Sequence, residues 1–248
     1  MVGIKSILIF FSCSLFAFSD DMFLHYENGM KAYQNNQFAL SIQEFEYILN
    51  HDLDSPELYY NLGNSYYRLG DISGSIWSYE SCLKIYPNHE DAKYNLILAN
   101  LRVKDRVVLP EPPVYLRLYM SIKEKFTSDM WITITLFFLL LFSISISLSK
   151  FLMFDMLHYL SGVMLTIICI CLFLTLHSIW TINSNDEGII YSAKIEAHSE
   201  PNKYSTRLFE VHEGLKVSVD QFFENWVKIE LIDGKAGWIE QDQIRLIQ

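Results

Sequence analysis

Apolar residues along this chain fall into distinct patterns, and each pattern predicts a different element. From Ile7 to Phe18 they form a nearly unbroken run behind Lys5, closed by Ala17-Phe18-Ser19. A positive start, a short apolar stretch and a small-x-small end predict a secretion signal over residues 1–19. The run is too short to span a bilayer. A lipoprotein leader would need cleavage before Cys13, but Phe10-Phe11-Ser12 lacks the expected leucine. The stretches 131–148 and 156–182 carry no Asp, Glu, Lys or Arg, and each is long enough to cross hydrocarbon. From 189 to 248 the pattern changes again. Runs such as Leu215–Val219 and Trp226–Leu231 alternate faces and are separated by turn residues, which predicts β-strands.

Between the signal and the apolar pair the chain repeats every 34 residues. Gly29 corresponds to Gly63, Phe38 to Ile72, Ser41 to Ser75, Ile42 to Ile76, Phe45 to Tyr79 and Leu49 to Leu83, while Tyr26, Tyr60 and Tyr94 form a third series. This is the period of the tetratricopeptide repeat, two antiparallel helices per unit. The second unit carries the fullest pattern, from Glu57 through Asp71 to Pro87. Gly63 permits close approach of the two helices, and Ser75 and Cys82 are small for the same reason. Gly70-Asp71 makes the turn and caps the second helix, which Pro87 ends. The first unit is degenerate, with Asn28 where Leu62 stands and Asn36 where Gly70 stands. A third first-helix, from His89 to about Arg102, has Ile97 in place of the glycine and caps the stack. Residues 20–106 are thus expected to hold about two and a half units.

In such a stack certain first-helix positions line the concave face. Here they are Tyr26, Met30, Tyr33 and Gln34, then Tyr60, Asn64, Tyr67 and Arg68, then Tyr94, Leu98 and Arg102. Tyrosine and arginine offer large contact area with a polar handle and are favoured at hot spots. A tyrosine at helical spacing is also a normal half-buried packing residue, and Tyr59 and Tyr66 are assigned that role. The ladder Tyr26, Tyr60 and Tyr94 is assigned to a partner groove. Asn64 and Arg68 resemble part of a clamp for a peptide carboxylate. Tyr60 stands where that clamp needs a cation, so no clamp is assigned.

Val107-Val-Leu-Pro-Glu-Pro-Pro113 stops any helix and stiffens the chain. Its Pro-x-x-Pro spacing also suits a proline-reading domain, but a rigid spacer is the simpler role. Tyr115, Leu118, Tyr119, Ile122 and Phe126 then recur at helical spacing, opposite Arg117, Ser121, Glu124 and Lys125. This predicts an amphipathic helix lying in a membrane interface, the alternative being a helix packed on the repeats. Residues 107–130 therefore form a proline-containing linker and amphipathic helix. The two apolar stretches, joined by a short link, predict a hairpin with both ends on one side. Trp131 and Trp180 sit at interfacial depths, and His158 and His177 near the ends of the second span lack carboxylate partners for a proton relay. For sidedness the signals conflict. Arg117, Lys123 and Lys125 precede the first span and only Lys150 lies in the link, which favours a cytoplasmic start. The secretion signal acts first and outweighs them, so the repeats and the terminal domain are expected on the periplasmic side of the inner membrane.

Composition fits this layout. Hydrophobic residues make up 51% and charged residues 19% of the 248, an excess concentrated in the apolar stretches. The net charge is −10 with no extended basic tract, which excludes nucleic acid as a partner. Cys82 lies too far from Cys169 and Cys171 for a structural disulfide to be expected, and the latter two point to nearly opposite sides of one helix, so neither a bridge nor a metal site is predicted. No phosphate loop, paired-histidine zinc motif or nucleophile elbow occurs. Ser81-Cys-Leu-Lys84 matches Ser-x-x-Lys but falls inside a repeat helix. The expectation is a non-enzymatic protein without a cofactor.

In the terminal segment, His212-Glu-Gly214, Trp226-Val-Lys-Ile229 and Asp233-Gly-Lys-Ala-Gly-Trp238 resemble the bacterial SH3-like domain. Asp233-Gly234 suits a tight hairpin, and Gly237 is expected to allow a sharp bend. Trp226 is expected in the core, and Trp238 is a candidate ligand-surface residue. The fold class is thus a multidomain membrane protein: helical repeats, a two-helix transmembrane hairpin and an all-β SH3-like barrel. The whole order resembles the BatE family of Bacteroides aerotolerance proteins. The match is carried by Glu57–Asp71, Leu109-Pro-Glu-Pro112, Ser128-Asp-Met-Trp131 and Leu208-Phe-Glu-Val-His-Glu-Gly214. That resemblance implies an inner-membrane scaffold whose partners are Bat proteins with von Willebrand A domains, in a complex linked to stress tolerance. The alternative is a cell-envelope anchor or sensor whose SH3-like domain binds peptidoglycan.

Overall fold

The computed structural model describes residues 21–105, 113–123, 126, 128–152, 155–184 and 186–247. The expected signal and most of the proline segment lie outside the described residues. Two compact units emerge: one combines the helices before Val107 with the strands after Glu187, and the other covers the chain between.

In the first unit the helices come in antiparallel pairs. They are α1 over residues 21–34, α2 (Phe38–Leu49), α3 (Pro56–Leu69), α4 (Ile72–Ile85) and α5 (Glu90–Asn100). The 34-residue period has a direct physical basis in the two glycines. A Cβ on Gly29 would lie 2.5 Å from the Phe45 ring, and one on Gly63 would lie 2.6 Å from the Tyr79 ring. Each glycine is the hole for the ring that stands sixteen positions later in its own unit. Ser55 caps α3 by accepting from the Leu58 amide at 3.1 Å. Gly70 ends that helix in the left-handed region at φ +96°, and Asp71 starts α4 by accepting from the Gly74 amide at 2.8 Å. Asn36 takes the same left-handed conformation at φ +60°, so the degenerate first unit keeps the turn with a side chain that tolerates it well. Gly63→Leu is expected to cost about 1–3 kcal/mol by overpacking against Tyr79, read as a lowered thermal midpoint of the full chain. An unchanged midpoint would remove the basis of the repeat alignment.

The strands are β1 (Asp186–Ile190), β2 (Lys194–His198), β3 (Arg207–His212), β4 (Lys216–Phe223), β5 (Trp226–Glu230), β6 (Ala236–Glu240) and β7 (Ile244–Leu246). They form one seven-stranded sheet in the order β3-β2-β6-β5-β4-β1-β7. Ile190, Ile195, Ala197, Val211, Val217, Val227, Ile229 and Ile239 make its core. Gly234 sits at φ +84° in the β5–β6 turn, as Asp-Gly spacing predicts. Gly237 serves a different purpose from the expected bend. It lies inside β6, where a Cβ would stand 3.0 Å from Ala197 and 3.2 Å from the Phe209 ring, so it permits close strand approach.

Helices and sheet share a core. Ile189 and Ile247 are buried in the same cluster as Trp77, Tyr59, Leu62 and Ile76. This explains the composition of α4, in which every residue from Ser73 to Tyr79 is buried. One side of α4 packs on α3 and the other meets the sheet, so small serines alternate with bulky residues. Gly214 makes a close approach at φ +82°, with room for a Cβ denied by Val103 at 2.9 Å.

The second unit contains α6 (Val114–Lys123), α7 (Ser128–Leu152) and α8 (Asp155–Ser184). Within α7 and α8, Met130–Lys150 and Tyr159–His177 are long and apolar enough to cross a membrane. The helices run beyond the uncharged stretches at several ends, leaving a shorter link than the apolar limits suggest. Trp131 is 5% exposed and packs with Cys171 and Leu174, joined by Tyr119 and Phe126. Thr135 and Thr175 meet across the pair at 3.3 Å, and each hydroxyl is also bonded to a carbonyl one turn earlier. Tyr119 pairs its hydroxyl with His177 Nδ1 at 2.9 Å, which ties α6 to α8. Tyr115, Leu118 and Ile122 remain exposed. The side chains of His158 and Trp180 lie outside the described residues.

Candidate protein-interaction surfaces

The first helices α1, α3 and α5, with Tyr79 of α4, line a cavity of about 190 Å³ whose walls are Tyr33, Asn64, Tyr67, Arg68, Tyr79, Asn95 and Leu98. The repeat period explains the convergence, because Tyr33 and Tyr67 stand 34 apart, as do Asn64 and Leu98. Asn64 is held by its carbonyl, which accepts from Tyr79 Oη at 2.8 Å and from Asn95 Nδ2 at 2.9 Å. Its Nδ2 makes no hydrogen bond among the described residues and is left as a donor. Burial holds the Tyr79 phenol above its ordinary range, so it stays a neutral donor to Asn64. Arg68 lies 4.6 Å from the Phe38 ring centroid and 5.9 Å from that of Tyr33, and donates to Asn36 Oδ1 at 3.2 Å. Arg102 lies 5.4 Å from the Tyr67 centroid. Both cations are braced on aromatic faces yet remain exposed, which lowers the entropy lost on contact with a partner.

The other expected groove residues lie elsewhere. Tyr26 is half-buried against Phe45 and accepts from Asn61 Nδ2 at 2.9 Å. Tyr60 is half-buried between Tyr79 and His89. Met30 packs against the helical core, and Tyr94 is exposed on the end of the stack. Tyr79 and Asn95 were not expected in the cavity. The available signal was the hydroxyl of Tyr79 at the position where the first unit has Phe45.

The sheet presents a second concavity, of about 460 Å³, lined by Lys194, Glu196, His198, Lys203, Arg207, Trp226 and Glu240 among others. Trp226 is half-buried here and is not a core residue, contrary to expectation. Val227 and Ile229 take the inward positions of β5, which leaves Trp226 on the outer face, edge-on to His198 at 5.8 Å. Trp238 shares that face, paired across β5 with Lys228 and in ring contact with Phe223 at 6.4 Å. The rim carries the ion pairs Arg207–Glu196 at 2.8 Å and Lys203–Glu240 at 2.5 Å.

Residues 56–89 match the tetratricopeptide repeat, and residues 193–245 match the bacterial SH3 domain. No curated protein matches the chain. Both matched modules are interaction modules, and among the described residues no group of three or more His, Cys, Asp or Glu is placed to hold a metal ion.

Between the tetratricopeptide helices and the SH3 sheet lies a contact that has no counterpart in the sequence pattern. Arg245 of β7 makes a two-pronged pair with Glu46 at 2.8 and 2.9 Å, and its guanidinium lies 3.3 Å from the centre of the Trp77 ring. Trp77 Nε1 donates to the Leu246 carbonyl at 2.6 Å, and Lys84 Nζ donates to that of Ile247 at 2.9 Å. Lys216 bridges Glu80 at 2.9 Å and Glu187 at 2.7 Å. Asp105 accepts from the His212 amide at 2.7 Å and pairs with its ring at 3.0 Å. Burial, reinforced by Glu46, holds the Tyr66 phenol well above its ordinary range, and it donates to Glu46 at 2.7 Å. The clue in the sequence was Trp77 itself. A large apolar side chain stands on the outer side of α4, where the first unit has the exposed Gln43.

Proposed function

We propose that this protein is a membrane-tethered, extracytoplasmic scaffold that captures an extended segment of a partner protein in its tetratricopeptide groove. The observation that carries the proposal is the donor-lined cavity beside Arg68 and Arg102. The unpaired Nδ2 of Asn64 and two braced guanidinium groups suit a segment that presents carbonyls and carboxylates. Two helices able to cross a membrane supply the tether. The resemblance to the BatE family makes von Willebrand A-domain Bat proteins of the inner membrane the partners to test, within a complex linked to stress tolerance. Tyr33, Asn64, Tyr67, Arg68 and Arg102 form the contact surface in this proposal.

The test is capture of purified Bat-type partners by the full chain in detergent. Tyr67→Ala with Arg68→Ala is expected to weaken capture by about 2 kcal/mol or more, roughly 30-fold in Kd, as at a hot spot. Leu62→Ala, at a fully buried position, is expected to cost about 2–5 kcal/mol of fold stability and to lose the partner only through that. Full capture by the double variant would remove the groove from the mechanism.

The SH3 concavity favours a second reading, in which Trp226 and its charged rim hold peptidoglycan. Sedimentation of the full chain with isolated cell wall, abolished by Trp226→Ala, is the outcome that reading requires. Sidedness has its own expected result. A phosphatase reporter after Gln248 is expected to be active and one near Lys150 inactive, and the reverse would place both modules in the cytoplasm.

A further inference from the structure

The cavity of the repeat groove has the size of one large side chain. Its volume of about 190 Å³ exceeds the void of roughly 150 Å³ that takes up benzene in a protein interior. Tyr33, Tyr67 and Leu98 give it apolar walls, two of them aromatic, and such walls favour a ring. A carboxylate, a carboxamide or an aliphatic hydroxyl, each on a short stem, leaves most of the space unfilled.

Two amides set its polar end. The Asn64 carbonyl accepts from Tyr79 Oη at 2.8 Å and from Asn95 Nδ2 at 2.9 Å, which fixes the amide with its own Nδ2 as a spare donor. Burial keeps the Tyr79 phenol protonated, so that orientation is held. Asn95 spends a donor in the contact, and among the described residues its carbonyl takes no hydrogen bond. A spare donor and a spare acceptor therefore flank one contact. A phenol hydroxyl accepts and donates through a single oxygen and matches both. An indole only donates, and a plain ring leaves both amides unmatched. An imidazole has both functions, but Arg68, exposed and lining the same cavity, disfavours a side chain that gains a proton.

We propose that the cavity holds a tyrosine side chain of the captured segment, with acidic residues beside it in the segment's sequence. This rests on the groove reading above and narrows it from any extended segment to one with this anchor. The ring lies among Tyr33, Tyr67 and Leu98, while the phenol oxygen accepts from Asn64 Nδ2 and donates to Asn95 Oδ1. Arg68 meets a neighbouring carboxylate. Its guanidinium is already held 4.6 Å from the Phe38 ring centroid, so little freedom is lost in that contact. A ring that fills a pocket carries most of the energy, and the charged flanks add selectivity.

Calorimetry of the detergent-solubilised full chain with capped pentapeptides tests this. Each peptide carries acidic residues on both sides of a central tyrosine, phenylalanine or alanine. Phenylalanine is expected to raise Kd about tenfold over tyrosine, because it leaves the amide pair unmatched, and alanine is expected to raise it further. Asn64→Leu is expected to erase the preference for tyrosine over phenylalanine. Leu98→Trp fills the cavity from a half-buried position and leaves the bonds of Asn64 in place, so it serves if Asn64→Leu does not fold. It is expected to bring all three peptides to the level of the alanine one. No binding of the tyrosine peptide, equal affinity for all three, or a tyrosine preference that survives both variants overturns the proposal. Capture of Bat-type partners is read separately. If it depends on Tyr67 and Arg68 while the peptides bind alike, the groove reading stands and the tyrosine anchor falls. If the peptides are discriminated as expected and no Bat-type partner is captured, the anchor stands and the partner is a different protein.

Discussion

Trp77→Ala is expected to lower the stability of the repeat–sheet unit by about 3–5 kcal/mol, the range for removing a large aromatic from a core. The side chain is 0% exposed and touches both modules. Its ring meets Tyr59 edge-on at 5.5 Å on the helical side and carries Arg245 on the other. Its loss also leaves the Leu246 carbonyl without the indole donor. Helix and sheet signals are therefore expected to melt together in the parent and at a lower temperature in the variant. Separate melting of the two signals in the parent chain would mean that the modules fold independently and that Trp77 serves the repeats alone.

Arg245→Ala is expected to cost about 1.5–3 kcal/mol by a different route, because the pair it breaks is half-buried. The carboxylate of Glu46 would remain at the junction with only Tyr66 as a hydrogen-bond donor from this group of side chains. Most of the cost is that uncompensated charge. Arg245→Met paired with Glu46→Gln is expected to recover a large part of it, since apolar packing over Trp77 survives and no unpaired charge is left at the junction. Equilibrium unfolding of the single and paired variants measures the difference. Equal losses in Arg245→Ala and in the pair would show that packing, and not charge, dominates. Trp77 and Arg245 touch, so their effects are expected to be less than additive.

These two residues also mark where the sequence became hard to interpret. The second repeat unit was legible because Gly63, Gly70, Asp71 and Pro87 each answer a local requirement, and local requirements leave a local trace. Asn36 shows the same logic at a degenerate position, since asparagine adopts the left-handed turn that glycine does. The cavity was half legible. Periodicity names the positions that face inward, but it does not tell that Tyr26 and Tyr60 are covered by the following helix. Trp226 was misplaced because a large aromatic was assigned to the core on its type, although alternation along β5 sets it on the same face as Lys228 and Glu230. The repeat–SH3 junction left one local trace, Trp77 where the first unit has Gln43, and its partners were not legible. Glu46 and Arg245 are 199 positions apart, and Trp77 and Leu246 are 169 apart. No periodic signal spans such distances.

The shared core makes the apolar pair an insertion within one folding unit, with helices before it in the chain and strands after it. The span from Val108 to Asp186 must be looped out for β7 to reach α4. Lengthening such a loop is cheap, about 0.6 kcal/mol for each doubling, so the arrangement costs little at equilibrium. Its effect is on the order of events during synthesis. The helices emerge first with the outer side of α4 still bare, and Trp77 stays uncovered until the strands have been made after the apolar pair. The apolar pair is therefore made before the unit can close, and a pause at that point leaves an apolar helix surface open to aggregation or to proteolysis.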